Sequence, residues 1–160
     1  MDDDRFELAP PLYLVACETG CWRCGASMPV VAVLCENVES PDEGPYILSN
    51  TAELPHELTA FIQRRCPTYR LTYSKTVGCK YYANNCPRCG VISGDFYLHS
   101  EPGAPFFPTD AEEARALTIE LIPLTQRCLV RSGCVYGTGN LILQYAGRRV
   151  GTSTRNADGP

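Results

Sequence analysis

The chain has 160 residues, of which 44% are hydrophobic and 20% charged, and this balance excludes a largely disordered protein. Its net charge of -4 and its pI near 5.2 lie far from the strongly basic values of dedicated nucleic-acid-binding domains. A chain of this length can bury a real core, so we expect one domain over residues 1–150 and a disordered polar tail over 151–160.

The first residues carry no signal for export or membrane insertion. Asp2, Asp3 and Asp4 stand where a secretory signal has basic residues, and no apolar run approaches the roughly 20 residues that span a bilayer. We therefore expect a cytoplasmic protein without membrane contact, and the sequence leaves its oligomeric state open. The ten cysteines should then stay reduced instead of forming disulfides.

The first third of the chain has the pattern of β structure. Apolar and β-branched residues predict strands over Leu12–Cys17 and Pro29–Glu36, one on each side of a short cysteine motif. The following residues Asn37–Asn50 contain the run Ser40–Pro45, in which prolines, a glycine and acids interrupt regular structure. We expect a loop there.

The middle of the chain combines one helix with strands. Apolar residues at intervals of three and four predict an amphipathic helix from about Pro55 to Arg65. Alternating side chains predict strands over residues 69–73 and Cys79–Ala83, joined by a turn at Val77–Gly78. Another strand is expected over Val91–Leu98, with a turn at Ser93–Asp95.

The last third adds a second helix and more strands. Thr109 and Glu112 form a capping-box pattern, which predicts a short helix starting near them, and alternating apolar residues predict a strand before Pro123. Strands over Cys128–Tyr136 and Leu141–Tyr145 would form a hairpin. The expected fold class is therefore α+β, an antiparallel β-rich single domain with two short helices.

The segment Phe96–Pro108 is dense in aromatic residues and prolines. We interpret it as a rigid connector whose Phe106 and Phe107 fill the core, because large aromatic side chains seldom stay in water. An exposed binding loop is the alternative.

Two matching segments carry the strongest chemical signal, Cys21-Trp22-Arg23-Cys24-Gly25 and Cys86-Pro87-Arg88-Cys89-Gly90. Two residues between paired cysteines let both sulfurs reach one ion, and the following glycine lets the backbone curl beneath it. A closed set of four thiolates is typical of structural zinc. We predict a Zn²⁺ site with the ligands Cys21, Cys24, Cys86 and Cys89. Replacement of one ligand by Cys17, Cys79 or a histidine is the alternative.

The paired motifs resemble those of the zinc-ribbon superfamily over residues 17–35 and 79–98. The resemblance implies two zinc knuckles on neighbouring β-hairpin turns, with the four motif cysteines as ligands, and a role in contacts with nucleic acids or proteins. Rubredoxins resemble the same double motif but hold iron between motifs that are closer together, so an iron redox carrier is a minor alternative. The 61 residues between the motifs and the long C-terminal extension depart from a compact ribbon.

Charge is distributed unevenly along the chain. Residues 1–57 carry eleven acids and two bases, whereas residues 58–94 carry six bases and no acid. These six bases are interleaved with tyrosines, and they are the candidate nucleic-acid contacts Arg64, Arg65, Arg70, Lys75, Lys80 and Arg88. Because the whole chain is acidic, we expect protein docking around the metal site first and nucleic-acid binding as the alternative.

Catalytic motifs are weak in this sequence. His99-Ser100-Glu101 is an H-x-E pair, but it follows the second cysteine motif, whereas in zinc nucleobase deaminases it precedes the cysteines. We therefore expect His99 at the surface or at a strand end. The residues after the first motif are β-like and do not form the helix that a thioredoxin-like thiol needs. We expect a non-enzymatic protein and keep an enzyme as the open alternative.

Overall fold

A computed structural model describes residues 5–149, so the tail predicted at 151–160 lies outside the described residues. Within this range the chain forms ten strands and four helices, a mixed α+β architecture as the sequence predicts. The strands are β1 Arg5–Leu8, β2 Leu12–Gly20, β3 Ser27–Cys35, β4 Tyr46–Glu53, β5 Tyr69–Ser74, β6 Cys79–Asn85, β7 Ile92–Ser93, β8 Thr118–Ile122, β9 Cys128–Tyr136 and β10 Gly147–Arg149. The helices are α1 His56–Arg65, α2 Asp95–His99, α3 Ala111–Arg115 and α4 Gly139–Tyr145.

Seven strands form a large sheet in the order β1-β9-β4-β3-β2-β8-β10. The long hairpin of β2 and β3 lies near its centre, with Val15 opposite Ala32. On its other side β3 pairs with β4 at Leu34–Ile47 and Cys35–Tyr46, near the end of β3 that is far from the first cysteine motif. β8 and β10 are parallel, and the other neighbours in this sheet are antiparallel.

The large sheet is buried on both faces at β3, whose successive side chains point to opposite sides and are almost all buried. Val31 and Val33 belong to a cluster that includes the apolar side chains of α1. Leu34 belongs to a second cluster with Phe106 and with Ile142 of α4. A strand buried on both faces has a nearly continuous apolar sequence, which is the pattern that predicted β3.

Strands β5, β6 and β7 form a second, three-stranded antiparallel sheet. This small sheet is attached to the large one through Asn84, which is buried in β6. Its side-chain amide donates to the Val31 carbonyl (3.1 Å), and its side-chain carbonyl accepts from the Val31 N–H (2.9 Å). The Asn84 side chain therefore satisfies the N–H and the carbonyl of Val31, in a part of β3 that does not pair with β4.

Helix α1 is joined to the large sheet by a buried ion pair. Arg65 donates from Nε to Oε1 of Glu120 (2.6 Å) and from Nη2 to Oε2 (2.7 Å), and its guanidinium lies 3.6 Å from the centre of the Phe61 ring. The Glu120 side chain is only 6% exposed and that of Arg65 20%. Because removing one partner of such a pair leaves a buried charge, Arg65 has a structural role.

Most of the predicted elements are confirmed, with small changes in their ends. The strands on each side of the first cysteine motif, helix α1 and the hairpin of β5 and β6 are present. The second predicted helix is α3, but its N-cap is Asp110, whose side chain accepts from the Glu113 N–H (2.8 Å). Glu113 in turn accepts from the N–H of Thr109 (2.7 Å), the residue before the N-cap, so the cap lies one residue later than predicted and is not a reciprocal capping box.

Three sequence-based predictions are wrong. The loop predicted over Asn37–Asn50 ends early, since β4 begins at Tyr46. The strand predicted over Val91–Leu98 is limited to the two residues of β7, and α2 follows. The strand predicted over Leu141–Tyr145 is helix α4, whose Ile142 and Ala146 are buried at helical spacing. The structure thus has two helices more than predicted.

The bond between Asn84 and Val31 generates a stability prediction. Replacing Asn84 by Ala leaves the N–H and the carbonyl of Val31 buried without a partner, so the free energy of unfolding should fall by about 2 to 5 kcal/mol. Asn140, which is exposed in α4, provides the control, and Asn140→Ala should change it by less than about 0.5 kcal/mol. Urea denaturation of the two variants measures the difference, and equal values would contradict this role of Asn84.

Candidate metal centre

The two cysteine motifs form two knuckles with the same backbone structure. The first knuckle joins β2 to β3, and the second joins β6 to β7. Gly25 and Gly90 adopt positive φ angles of +77° and +85°, and space around both is open. The positive φ angle, which other residues adopt only with strain, is therefore the reason for glycine at these positions.

Matching backbone hydrogen bonds close each knuckle. The N–H of Cys21 donates to the carbonyl of Ala26 (2.8 Å), and the N–H of Gly25 donates to the carbonyl of Cys21 (2.9 Å). In the second knuckle, Cys86 and Gly90 make the equivalent bonds with the same lengths. The two motifs that match in sequence therefore also match in local geometry.

Backbone N–H groups in each knuckle point at the first sulfur of the motif. The N–H groups of Arg88 and Cys89 lie 3.4 and 3.5 Å from Sγ of Cys86. The bond from the Cys89 N–H is the main reason that the pKa of Cys86 is lowered to about 6. The equivalent bond from Cys24 is the main cause of the lowered pKa of Cys21. The first cysteine of each knuckle thus favours the thiolate form, which is the form that binds metals, whereas the pKa of Cys89 within the cluster of thiols is raised to about 11.

The fold brings the four predicted ligands together, with all four sulfurs within 4.8 Å of one another. Cys21 Sγ lies 3.6 Å from Cys89 Sγ, and Cys24 Sγ lies 3.7 Å from Cys86 Sγ. A tetrahedral ion with metal–sulfur bonds of about 2.3 Å requires sulfurs about 3.8 Å apart. The donor set and its spacing therefore fit a metal ion.

The alternative ligands lie outside this cluster. In the described part of the chain, Cys17, Cys79 and both histidines are absent from the group of four. Cys17 is in β2, where burial raises the pKa of its thiol to about 11, and Cys79 is exposed at the start of β6. The arrangement is compatible with the zinc-ribbon-like site suggested by the sequence, since both knuckles connect antiparallel strands.

A direct bond also links the two knuckles. Trp22 of the first knuckle donates from Nε1 to the carbonyl of Ile92 in β7 (2.8 Å). No local sequence pattern indicates this bond, because the two residues are 70 positions apart. It helps to hold the knuckles in register, yet it leaves the Trp22 side chain 70% exposed.

The six candidate nucleic-acid contacts do not form one set. Arg65 is held by Glu120, and Arg64 is on the same helix α1. The other four are exposed on the small sheet, its hairpin turn and the second knuckle: Arg70, Lys75, Lys80 and Arg88. Arg23 of the first knuckle is also exposed.

Helix α2, which the sequence did not predict, buries two titratable side chains beyond the second knuckle. Burial raises the pKa of Asp95 to about 7, although its carboxylate accepts a bond from the Asn50 N–H (2.7 Å). His99 is buried against Phe106, and this burial lowers its pKa to about 4. The expectation of a surface or strand-end histidine is therefore wrong. Five residues are too few for a helical repeat to show in the sequence.

Comparison with protein-family models, with curated proteins and with solved structures found no match for this chain. In the range 5–149, no helix combines the length and the apolar character needed to cross a membrane.

The four-cysteine cluster predicts the effect of removing a ligand. Cys24→Ser and Cys89→Ser should each lose the bound metal and about 4 kcal/mol or more of stability, because structural metal binding contributes directly to folding. Cys79→Ser is the matched control, since it removes an exposed thiol outside the cluster. Metal content by mass spectrometry and thermal melting test this prediction. Wild-type metal content in both ligand variants would contradict it.

The two buried groups of α2 predict opposite effects of pH. Asp95 binds its proton more tightly in the folded state, so its contribution to stability is full below about pH 4 and is lost as the pH rises through about 7. The lowered pKa of His99 means that its contribution is full above about pH 6.5 and is lost as the pH falls toward 4. Each contribution amounts to at most about 3 to 4 kcal/mol.

Single variants should separate these two contributions. Asp95→Asn should lose more stability than the wild type as the pH falls from 8 to 5, and His99→Gln should lose less. Urea unfolding at each pH, in buffer with added zinc, measures both curves relative to the wild type. Curves parallel to that of the wild type would show that neither group titrates differently in the folded protein.

Proposed function

We propose that this is a non-enzymatic zinc-binding protein in which a structural Zn(Cys)4 site holds a macromolecular interaction surface. The observation that carries the proposal is the closed set of four thiols within 4.8 Å. Structural zinc sites have four protein ligands, whereas catalytic sites keep one position for water or substrate. The metal would fasten the turn of the β2–β3 hairpin to the turn between β6 and β7.

Zinc is proposed over iron, and the two metals differ in a simple measurement. Iron bound by four thiolates colours the protein, and the colour changes with the oxidation state of the iron. Zinc has no redox chemistry and no such colour. Purified protein should therefore be colourless and contain about one zinc ion per chain. Visible absorption that disappears on reduction would instead support the iron redox carrier.

Charge around the metal centre supports nucleic acid as the partner class. Residues 19–35 and 58–94, which include both knuckles and most of the small sheet, carry seven bases and no acid. Arg65 is bound to Glu120 and Arg64 lies on α1, which leaves five exposed bases on the knuckles and the small sheet, Arg23 among them. The metal with four thiolates adds about -2, so this part of the molecule keeps a positive balance. A polyanion is the ligand that complements it.

The sequence placed protein docking first, because the chain as a whole is acidic. That partner class stays a prediction. We place nucleic acid ahead of it because the acids and bases occupy different parts of the fold, so the charge of the whole chain does not describe the surface around the knuckles. A protein partner predicts no affinity for oligonucleotides.

Salt dependence tests this proposal. A fluorescein-labelled 12-nucleotide DNA should bind with an affinity that falls about 50-fold between 50 and 200 mM KCl if four phosphates are contacted, from a slope of about -0.7 per phosphate. Fluorescence anisotropy measures the Kd at each salt concentration.

A pair of double variants controls for net charge. Arg70→Gln/Lys80→Gln should weaken binding and make the salt slope less steep by about 1.4. Arg115→Gln/Arg127→Gln removes the same charge from exposed positions on α3 and just before β9, and it should leave the slope unchanged. Equal effects of both pairs, or no binding by the wild type at 50 mM KCl, would overturn the proposal.

A further inference from the structure

A groove of about 770 Å³ lies beside the first knuckle, between the turn of the β5–β6 hairpin and helix α2. Segments from separate parts of the chain line it. Its walls come from the first knuckle, from the end of β5 and its turn, and from β7 and the start of α2. The wall formed by Trp22 therefore depends on the first knuckle lying beside β7, where Trp22 donates to the Ile92 carbonyl.

Four aromatic side chains line this groove and remain largely exposed. Trp22 is 70% exposed, Phe96 74%, and Tyr73 and Tyr97 are each 55% exposed. Phe106, ten residues after Phe96, is fully buried as the sequence predicts, whereas Phe107 is only partly buried. The same segment therefore turns one end into the core and presents the other to solvent. Flat aromatic faces gathered in one groove fit a ligand that stacks.

A buried acceptor is among the residues that line the groove. Asp95 lines it, is only 7% exposed, and accepts one hydrogen bond, from the Asn50 N–H (2.7 Å). No other described residue bonds to this carboxylate, so it has capacity for a further donor. The groove thus combines aromatic faces with a carboxylate that can accept a hydrogen bond from a donor group of a ligand.

Positive charge lies at the rim. Lys75 lines the groove, Lys80 is directly opposite Tyr73 in the β5–β6 ladder, and Arg23 follows Trp22 in the first knuckle. All three side chains belong to exposed residues. Stacking platforms inside the groove and cations at its edge are the combination that binds single-stranded nucleic acid.

We propose that this groove binds unpaired bases of a single-stranded nucleic acid. The bases stack on Trp22, Tyr73 and Phe96, the phosphates contact Lys75 and Lys80, and Asp95 accepts a hydrogen bond from a base. The inference rests on the proposed nucleic-acid function, and it adds the strand state and the binding site. A duplex keeps its bases stacked on one another, so it cannot offer them to the groove.

Intrinsic fluorescence tests this inference, since Trp22 is the only tryptophan in the chain. Addition of (dT)12 or (rU)12 should quench the Trp22 emission, because a stacked base contacts the indole. By anisotropy, a mixed-sequence single strand should bind at least 10-fold more tightly than the duplex formed with its complement. The DNA and RNA strands show whether the sugar contributes.

Aromatic variants locate the binding site. Tyr73→Ala and Phe96→Ala should each weaken (dT)12 binding by about 5-fold to 100-fold, the range expected for loss of one stacked base. Tyr136→Ala is the matched control, since Tyr136 is 47% exposed on β9 and outside the groove. It should change the Kd less than 2-fold. Thermal melting shows that each variant is folded.

The outcomes separate this inference from the proposed function. If single strand and duplex bind equally and the Tyr73 and Phe96 variants behave as the wild type, the groove inference fails. In that case the double variant Arg70→Gln/Lys80→Gln still tests whether the protein binds nucleic acid outside the groove. If no oligonucleotide of either kind binds, the proposed function itself fails, and protein docking becomes the better hypothesis.

Discussion

The convergence of four sulfurs from two distant knuckles is the constraint on which the rest of this structure depends. Sixty-one residues separate Cys24 from Cys86, and they include β3, β4, helix α1 and the β5–β6 hairpin. A metal bound to all four thiols closes this loop, at an entropy cost that grows only slowly with loop length. Such an ion would fix the small sheet against the large one at their shared end, where β3 and β4 have separated.

Two other bonds depend on this fastening and strengthen it. The Asn84 side chain forms hydrogen bonds with both backbone groups of Val31, and the indole N–H of Trp22 donates to the carbonyl of Ile92. Both bonds need their two partners in register to within a few tenths of an ångström, which neither bond could impose alone. The same alignment positions α2 with Asp95 buried, an arrangement that lowers stability near neutral pH. A metal ion bound by the four thiols would offset this cost, because structural metal binding contributes directly to folding.

How much could be predicted from the sequence depends on how far apart in the sequence the interacting residues lie. The knuckles and the strands beside them were predictable, because spacing within five residues and apolar runs are local signals. Helix α4 was not predictable, because its packing depends on a close approach between Gly139 and Pro45. A Cβ at position 139 would lie 2.9 Å from the proline ring. The ion pair of Arg65 with Glu120 joins residues 55 positions apart, and it removed one expected nucleic-acid contact. The groove likewise has no linear signature.

The distribution of charge explains why the net value of -4 misleads about the surface around the knuckles. Several exposed acids are paired with arginines on the side of the large sheet formed by β1, β4 and β9. Glu53 contacts Arg5 and Arg131, and Glu39 contacts Arg127. At physiological salt, exposed charges act over only about 8 to 10 Å. A polyanion at the knuckles would therefore be affected mainly by the charges beside it, where exposed bases outnumber acids, so the net charge of the whole chain does not exclude the proposed nucleic-acid partner.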